Sequence, residues 1–448
     1  MWADFDLQSR NQIILPFFWF GTRQLFLEKP VVPGQINLYK CLYRNSVLFV
    51  RKSEADRMAP LRVTKDKPCL RVGVLGAGAI GAVFGLRLSS LRKRQPSSEA
   101  IIDNVVLVGR RHGNLGQVVA KGKEEFTIVD NITHATETYR IHKDFHVAFS
   151  DDDDSGDSLH AGIRACNVLL VAVKTTATTS VANQLASILP KDSTMTIVSL
   201  QNGIRNADIL QKAFLQHPNV QVLTSVVTLP AEWATGTTTF HINFSGGCTV
   251  EQPTCEPHKS RIVTLVTALR EAHLPSHTTT RDIKVVQYTK WMINLVNPIN
   301  ALAGQTVPET MAQRGYRLVL AAAVTEARHV ILGKCCNQQF TWWQRGKLHF
   351  VSTVFALLLV YLPDFVWRWI FSHFGAQYKS SMLQDLERRR SRTEIQNFSG
   401  EIVQLSRNSN VKVPVNAALV KLVQNAEEAG KGSPQLSPQE LMRLVGLT

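Results

Sequence analysis

The stretch "LRVGVLGAGAIGAVFGLRLSS", beginning at Leu70, limits the fold of this chain more than any other. A short β-branched strand runs into three glycines, and a helical pattern follows. Gly76, Gly78 and Gly81 stand in G-x-G-x-x-G spacing. The first glycine of such a turn permits a tight bend. The second lets the backbone approach a pyrophosphate, and the third lets helix and strand pack closely. The strand before and the helix after supply the context that a bare glycine pattern lacks. Gly76, Ala77, Gly78, Ala79, Ile80 and Gly81 are therefore read as a dinucleotide-binding turn.

Beyond the turn, strands and helices alternate. "NVVLVGRR", "CNVLLVAVK" and "STMTIVSLQNG" read as buried strands, with a helix from Thr176 to Leu189 between the last two. That alternation predicts a Rossmann-type, doubly wound parallel sheet. The acidic run from Asp151 to Asp157 reads as a solvated loop, and no metal site is expected. After about residue 281 the strand signals stop. Lys284 to Leu302, Tyr316 to Leu332 and Ser381 to Arg407 read as helices, and Pro414 begins another. The expected organisation is an extension over 1–69, a nucleotide-binding α/β domain over 70–281, and an all-α domain over 282–448 with an atypical apolar segment at 333–377.

The net charge of +15 over 448 residues would suit nucleic acid, a membrane surface or anionic small molecules. No aromatic RNA-binding motif, zinc-finger spacing or long basic run supports a nucleic-acid partner. The seven cysteines are scattered without a CxxC pair, which points to a reducing compartment rather than a disulfide framework. Residues 1–69 carry 11 Lys and Arg against 6 Asp and Glu and lack the design of a secretory signal. A cytoplasmic protein is the first expectation and a mitochondrial one the alternative. The run from Phe350 to Pro363 is apolar for only about 14 residues, too short for a span. A buried helix is the plainer reading, and membrane association through 350–373 is the alternative.

Ligands of such sheets bind beyond the C-terminal ends of the strands. One strand ends at Arg110 and Arg111, where an NAD-specific site would place an acidic residue. Two guanidinium forks would instead suit a 2′-phosphate, so NADPH/NADP+ is the expected cofactor. The strand "VAVK" ends at Lys174 and "SLQNG" ends at Asn202. Further on, "KWMINLVNPIN" sets Lys290, Asn294 and Asn297 at helical spacing on one face. An ammonium and two amides there suit an active-site wall; a snorkelling surface lysine is the bland reading.

With "GAGAIG", "VAVKT", "SLQNG", "KWMINLVNPINAL" and "SSMLQDLERRRSRTEIQNFSGEIVQL", the chain from about residue 70 resembles ketopantoate reductase, that is 2-dehydropantoate 2-reductase. The resemblance implies NADPH-dependent reduction of a 2-oxo acid for pantothenate and coenzyme A biosynthesis. It implies a catalytic Lys290 and an Asn202 serving cofactor and chemistry, with Lys174 on the cofactor side. Asn294, Asn297, Ser381 and Glu394 would hold the substrate, and a homodimer is possible. The chain also departs from the family. Only two residues separate Asn294 from Asn297, where the family has three. Tyr378 stands where an asparagine often sits, and the spacing from Ser381 to Glu394 is one residue longer. Reduction of another branched 2-oxo acid, or an NADP-binding sensor without catalysis, are the alternative readings.

Overall fold

The computed structural model describes residues 68–94, 101–150, 156–234, 236–279, 282–333, 340–371, 378–389 and 392–447. The expected extension and most of the acidic run therefore lie outside the described residues. β1 (Leu70–Leu75) leads into α1 (Ala79–Arg94) and returns as β2 (Ile102–Gly109). After α2 (Asn114–Ala120) come β3 (Glu125–Asp130), β4 (Ala135–Arg140) and β5 (His146–Phe149). The strand–helix rhythm resumes with α3 (Gly156–Ala165), β6 (Val168–Val171), α4 (Thr178–Ile188), β7 (Met195–Ser199), α5 (Asn206–Ala213) and β8 (Val220–Val227). Then follow β9 (Ala231–Trp233), β10 (Thr239–Ile242), β11 (Cys248–Glu251), α6 (His258–Glu271) and β12 (His277–Thr279).

The main sheet runs β12-β11-β8-β7-β6-β1-β2-β5. From β5 to β8 every pairing is parallel; β11 joins β8 antiparallel. Alternate side chains feed two cores. Val168 and Leu170 point to the α1 and α6 side, and Leu169 and Val171 to the α3, α4 and α5 side. Burial on both faces explains why these strands are unbroken apolar runs. Chain order reverses at β1, which lies between β2 and β6, so the crevice beyond its C-terminal end is the expected ligand position.

A second sheet, β4-β3-β10-β9, is absent from the sequence reading. It stacks Phe126 on Phe240, packs Trp233 against the same ring at a 49° tilt, and receives Arg87 of α1, whose guanidinium pairs with Asp130 at 3.1 Å and Glu137 at 2.6 Å. Its strands are short, and β4 is mostly exposed, so its apolar signal is weak.

The helical region comprises α7 (Ile283–Ile293), α8 (Val296–Ala303), α9 (Val307–Ala312), α10 (Arg314–Leu332), α11 (Trp342–Tyr361) and α12 (Asp364–Phe371). It continues with α13 (Ser381–Glu387), α14 (Ser399–Ser406), α15 (Pro414–Ala429) and α16 (Pro438–Leu444). Two expected helices are broken. Lys284–Leu302 divides between α7 and α8 because Pro298 cannot donate to the Asn294 carbonyl and its ring would clash there. The Asn297 amide takes that carbonyl instead, at 3.0 Å. Ser381–Arg407 stops after α13, where Arg389 adopts a left-handed φ of 50°, and resumes at α14. Within the atypical segment, α11 opens on a capping box of Thr341 and Gln344 and packs along α10. The buried Arg317 of α10 satisfies the Leu359 and Leu362 carbonyls near the end of α11 and pairs with Asp364 at 2.6 Å.

Candidate active site

The glycine turn has the shape its spacing implies. Gly76 sits at φ +98°, and a Cβ there would come within 2.6 Å of the Val173 amide nitrogen. A Cβ on Gly81 would lie 2.1 Å from the Gly76 carbonyl oxygen, so α1 rests directly on the turn. A Cβ on exposed Gly78 would meet nothing within 4 Å. Open space therefore faces the first turn of a 16-residue helix, which suits a pyrophosphate. Ala77 is buried beneath the turn, while Ala79 and Ile80 are half-buried at the helix start.

Arg110 and Arg111 follow β2, whose end pairs with the end of β1. Both are exposed, and the Arg111 guanidinium lies 4.9 Å from the ring centre of Phe149 on β5. The Arg110 carbonyl accepts from Gly113, closing the turn into α2.

α7 lies over the C-terminal ends of β7 and β8. The cleft beneath it is lined by Asn202 and Gly203 after β7, by Ser225 and Val227 of β8, and by Gln287, Lys290 and Asn294 of the α7 stretch. Gln287 donates to the Gly203 carbonyl at 3.2 Å. Lys290 Nζ donates to Asn202 Oδ1 at 3.2 Å and to the Val227 carbonyl. Desolvation pushes its pKa down to about 8, against the pull of the nearby Glu394 carboxylate, which raises it.

Glu394 reaches the other domain rather than the arginines beside it in sequence. Its Oε1 accepts from the Thr175 amide at 3.2 Å. Burial raises its carboxyl pKa. The Thr175 hydrogen bond and Lys174 pull it down, and Asp385 pushes it up. Lys174 is committed to Asp385, with Nζ 2.5 Å from Oδ2. Arg205 with Glu401, at 2.5 Å, and Trp291 with the Asn397 carbonyl, at 2.9 Å, add two more ties between the sheet, α7 and the last helices.

Lys290, Asn202 and Asn294 thus share one cleft, and Glu394 lies within electrostatic reach. Asn297 and Ser381 do not line it. Asn297 falls beyond the break that Pro298 imposes. Ser381 is exposed at the start of α13, whereas the adjacent Ser380 is buried, caps that helix through Leu383 and donates its amide to Asn300 Oδ1 at 3.1 Å. The sequence reading missed Thr175, Asp385, Gln287 and the Val227 carbonyl. Thr175 and Asp385 lie inside quoted motifs, "VAVKT" and "SSMLQD", but nothing in one sequence pairs them with residues of the opposite domain. Tyr378 packs edge-on against Phe244, with ring centres 5.5 Å apart.

A Rossmann-type sheet, an open glycine turn and a desolvated lysine under a helical domain together define a nicotinamide-dependent oxidoreductase. The chain belongs to the ketopantoate reductase family: the PanE/ApbA ketopantoate reductase profile matches residues 72–253, and its C-terminal profile matches 282–427. No curated relative matches the sequence. Similar solved structures include a PanE/ApbA family ketopantoate reductase from Ralstonia eutropha JMP134, at 20% identity and TM-score 0.60, covering 81% of this chain and 100% of that one. A D-mandelate dehydrogenase with NADH and anilino(oxo)acetate has 18% identity and TM-score 0.58, covering 81% and 99%. The 2-dehydropantoate 2-reductase of Methylococcus capsulatus has 19% identity and TM-score 0.55, again covering 81% and 99%. At these identities the likeness is one of fold.

Proposed function

We propose that this protein reduces ketopantoate to pantoate with NADPH, serving pantothenate and coenzyme A synthesis. The observation that carries the reading is the Lys290–Asn202 contact in the cleft beneath α7. The cofactor, when bound, supplies hydride to the C2 carbonyl of the substrate. The glycine turn holds its pyrophosphate, and Arg110 and Arg111 take its 2′-phosphate. Negative charge then grows on the carbonyl oxygen. Lys290 stabilises that charge and supplies the proton, and Asn202 holds the ammonium in place. A lysine near 8 keeps most of its charge at neutral pH yet gives up its proton readily. Glu394 accepts from the substrate's terminal hydroxyl, and Asn294 hydrogen-bonds the substrate from the helix.

A second reading keeps the chemistry and changes the substrate to another 2-oxo acid. Tyr378 near the domain junction and the outward Ser381 support it, since both alter what the family's substrate would meet. The test is NADPH oxidation by the purified protein with ketopantoate and 2-oxoisovalerate side by side. Faster turnover of ketopantoate supports the first reading. Preference for 2-oxoisovalerate supports the second, and turnover of neither overturns both.

A further inference from the structure

The outward face of α11 has no protein cover among the described residues. Trp343, Phe350, Val354, Leu357 and Tyr361 recur at three-, four- and seven-residue spacing and are all exposed. Phe365, 71% exposed, extends the patch onto α12. The opposite face of α11 is spent on the protein: Leu348, Val351, Phe355 and Leu359 are buried. Lipid therefore cannot surround this helix. No single described helix is long and apolar enough to cross a membrane, and α11 and α12 are bent by 114°.

We propose that the α11–α12 corner lies on the surface of an anionic lipid bilayer, as a peripheral attachment without a span. Charge selects this occupant. Residues 334–384 hold five Lys and Arg and a single acid, Asp364. That acid is already paired with buried Arg317. Arg368 stands exposed among the aromatics. Lys347 is paired with Asp282 and Lys379 with Glu387, so these acids are matched by bases and Arg345 and Arg368 remain in excess. A basic rim around an apolar face complements anionic headgroups. A twofold contact between copies would set the same basic rim against itself, because such an interface is self-complementary. The distribution of side chains agrees. Trp342 and Trp343 stand at one end of α11 and Tyr361 at the other, with exposed His349, Phe350, Val354 and Leu357 between them. Indole and phenol rings favour the boundary between headgroup and hydrocarbon.

The test is cosedimentation of the full chain with vesicles of phosphatidylcholine alone and of phosphatidylcholine with about 30% phosphatidylserine. The protein should pellet with the anionic vesicles and much less with the neutral ones. The triple variant Phe350→Ser, Leu357→Ser, Phe365→Ser keeps every charge, so simple attraction of a basic protein would survive in it. Its bound fraction should fall about tenfold or more, with NADPH binding and thermal midpoint unchanged. The single variant Leu357→Glu should weaken binding in the same direction. Unchanged pelleting of the triple variant overturns the proposal, as does absence of pelleting with either vesicle. A wild-type dimer that becomes monomeric in the triple variant, without vesicle binding, assigns the face to a second copy instead.

Discussion

Lys174 Nζ lies 2.5 Å from Asp385 Oδ2 and ties the end of β6 to α13 across the domain junction. Asp385 is 6% exposed and Lys174 is 43% exposed. Removing the lysine takes from this buried carboxylate the cation that faces it. Lys174→Ala should therefore cost about 1–3 kcal/mol in urea unfolding, less than a fully buried pair because the lysine is half in water. Adding Asp385→Asn should recover part of that loss. If the two substitutions prove additive, the pair is not coupled.

The pH dependence of activity should follow Lys290. The ammonium form is needed to supply a proton, and it drains away as pH rises through about 8. In the reducing direction, kcat/KM should fall by about tenfold per pH unit on the alkaline side. Lys290→Arg should abolish that limb at a much lower rate, because guanidinium does not titrate there. Lys290→Ala should lower turnover by about 10²–10⁴-fold while NADPH binding survives. A pH profile unaltered in the arginine variant would assign the limb to another group.

Glu394 should read the hydroxyl that distinguishes ketopantoate from 2-oxoisovalerate. A carboxylate only accepts, so a buried glutamate facing a purely apolar branch would go unpaired. Glu394→Ala should reduce the preference for ketopantoate by about 1–3 kcal/mol in transition-state terms. An unchanged ratio of kcat/KM between the substrates removes Glu394 from that role.

Cofactor preference should reside in the two arginines after β2. Replacing Arg110 and Arg111 with alanine should weaken NADPH binding far more than NADH binding, because only NADPH brings a 2′-phosphate to their guanidinium groups. Equal affinity of the unmodified protein for both cofactors, measured by fluorescence titration, would refute this.

The two asparagines of the helix stretch should behave differently. Asn294 lines the cleft, and Asn297 lies past the break. Asn294→Ala should cost about tenfold or more in kcat/KM. Asn297→Ala should change it by less than about twofold, because no substrate group is left unpaired. Equal losses would mean that both reach the substrate.

Local chemistry made much of the α/β half legible. A glycine turn with no room for a Cβ at Gly76 or Gly81, followed by apolar strands buried on both faces, has few ways to fold. Those patterns are periodic and short-range, so one sequence carries them. The second sheet escaped notice because its strands are short and one is largely exposed. The divided helices escaped notice because apolar spacing continues across Pro298 and the arginine run, while the lost backbone bond and the left-handed residue do not alter that spacing.

The sequence alone determined the dinucleotide-binding turn, the strand ends beyond which ligands bind, and the helix face bearing Lys290. The tertiary structure decided which groups meet. It set Lys290 against Asn202 and the Val227 carbonyl, Lys174 against Asp385, and Glu394 against Thr175. It left Asn297 and Ser381 out of the lining of the cleft beneath α7. The reason is that these contacts join residues 63 to 219 positions apart. Their distances follow from how the helical domain packs on the sheet, and no periodicity along the chain encodes that packing.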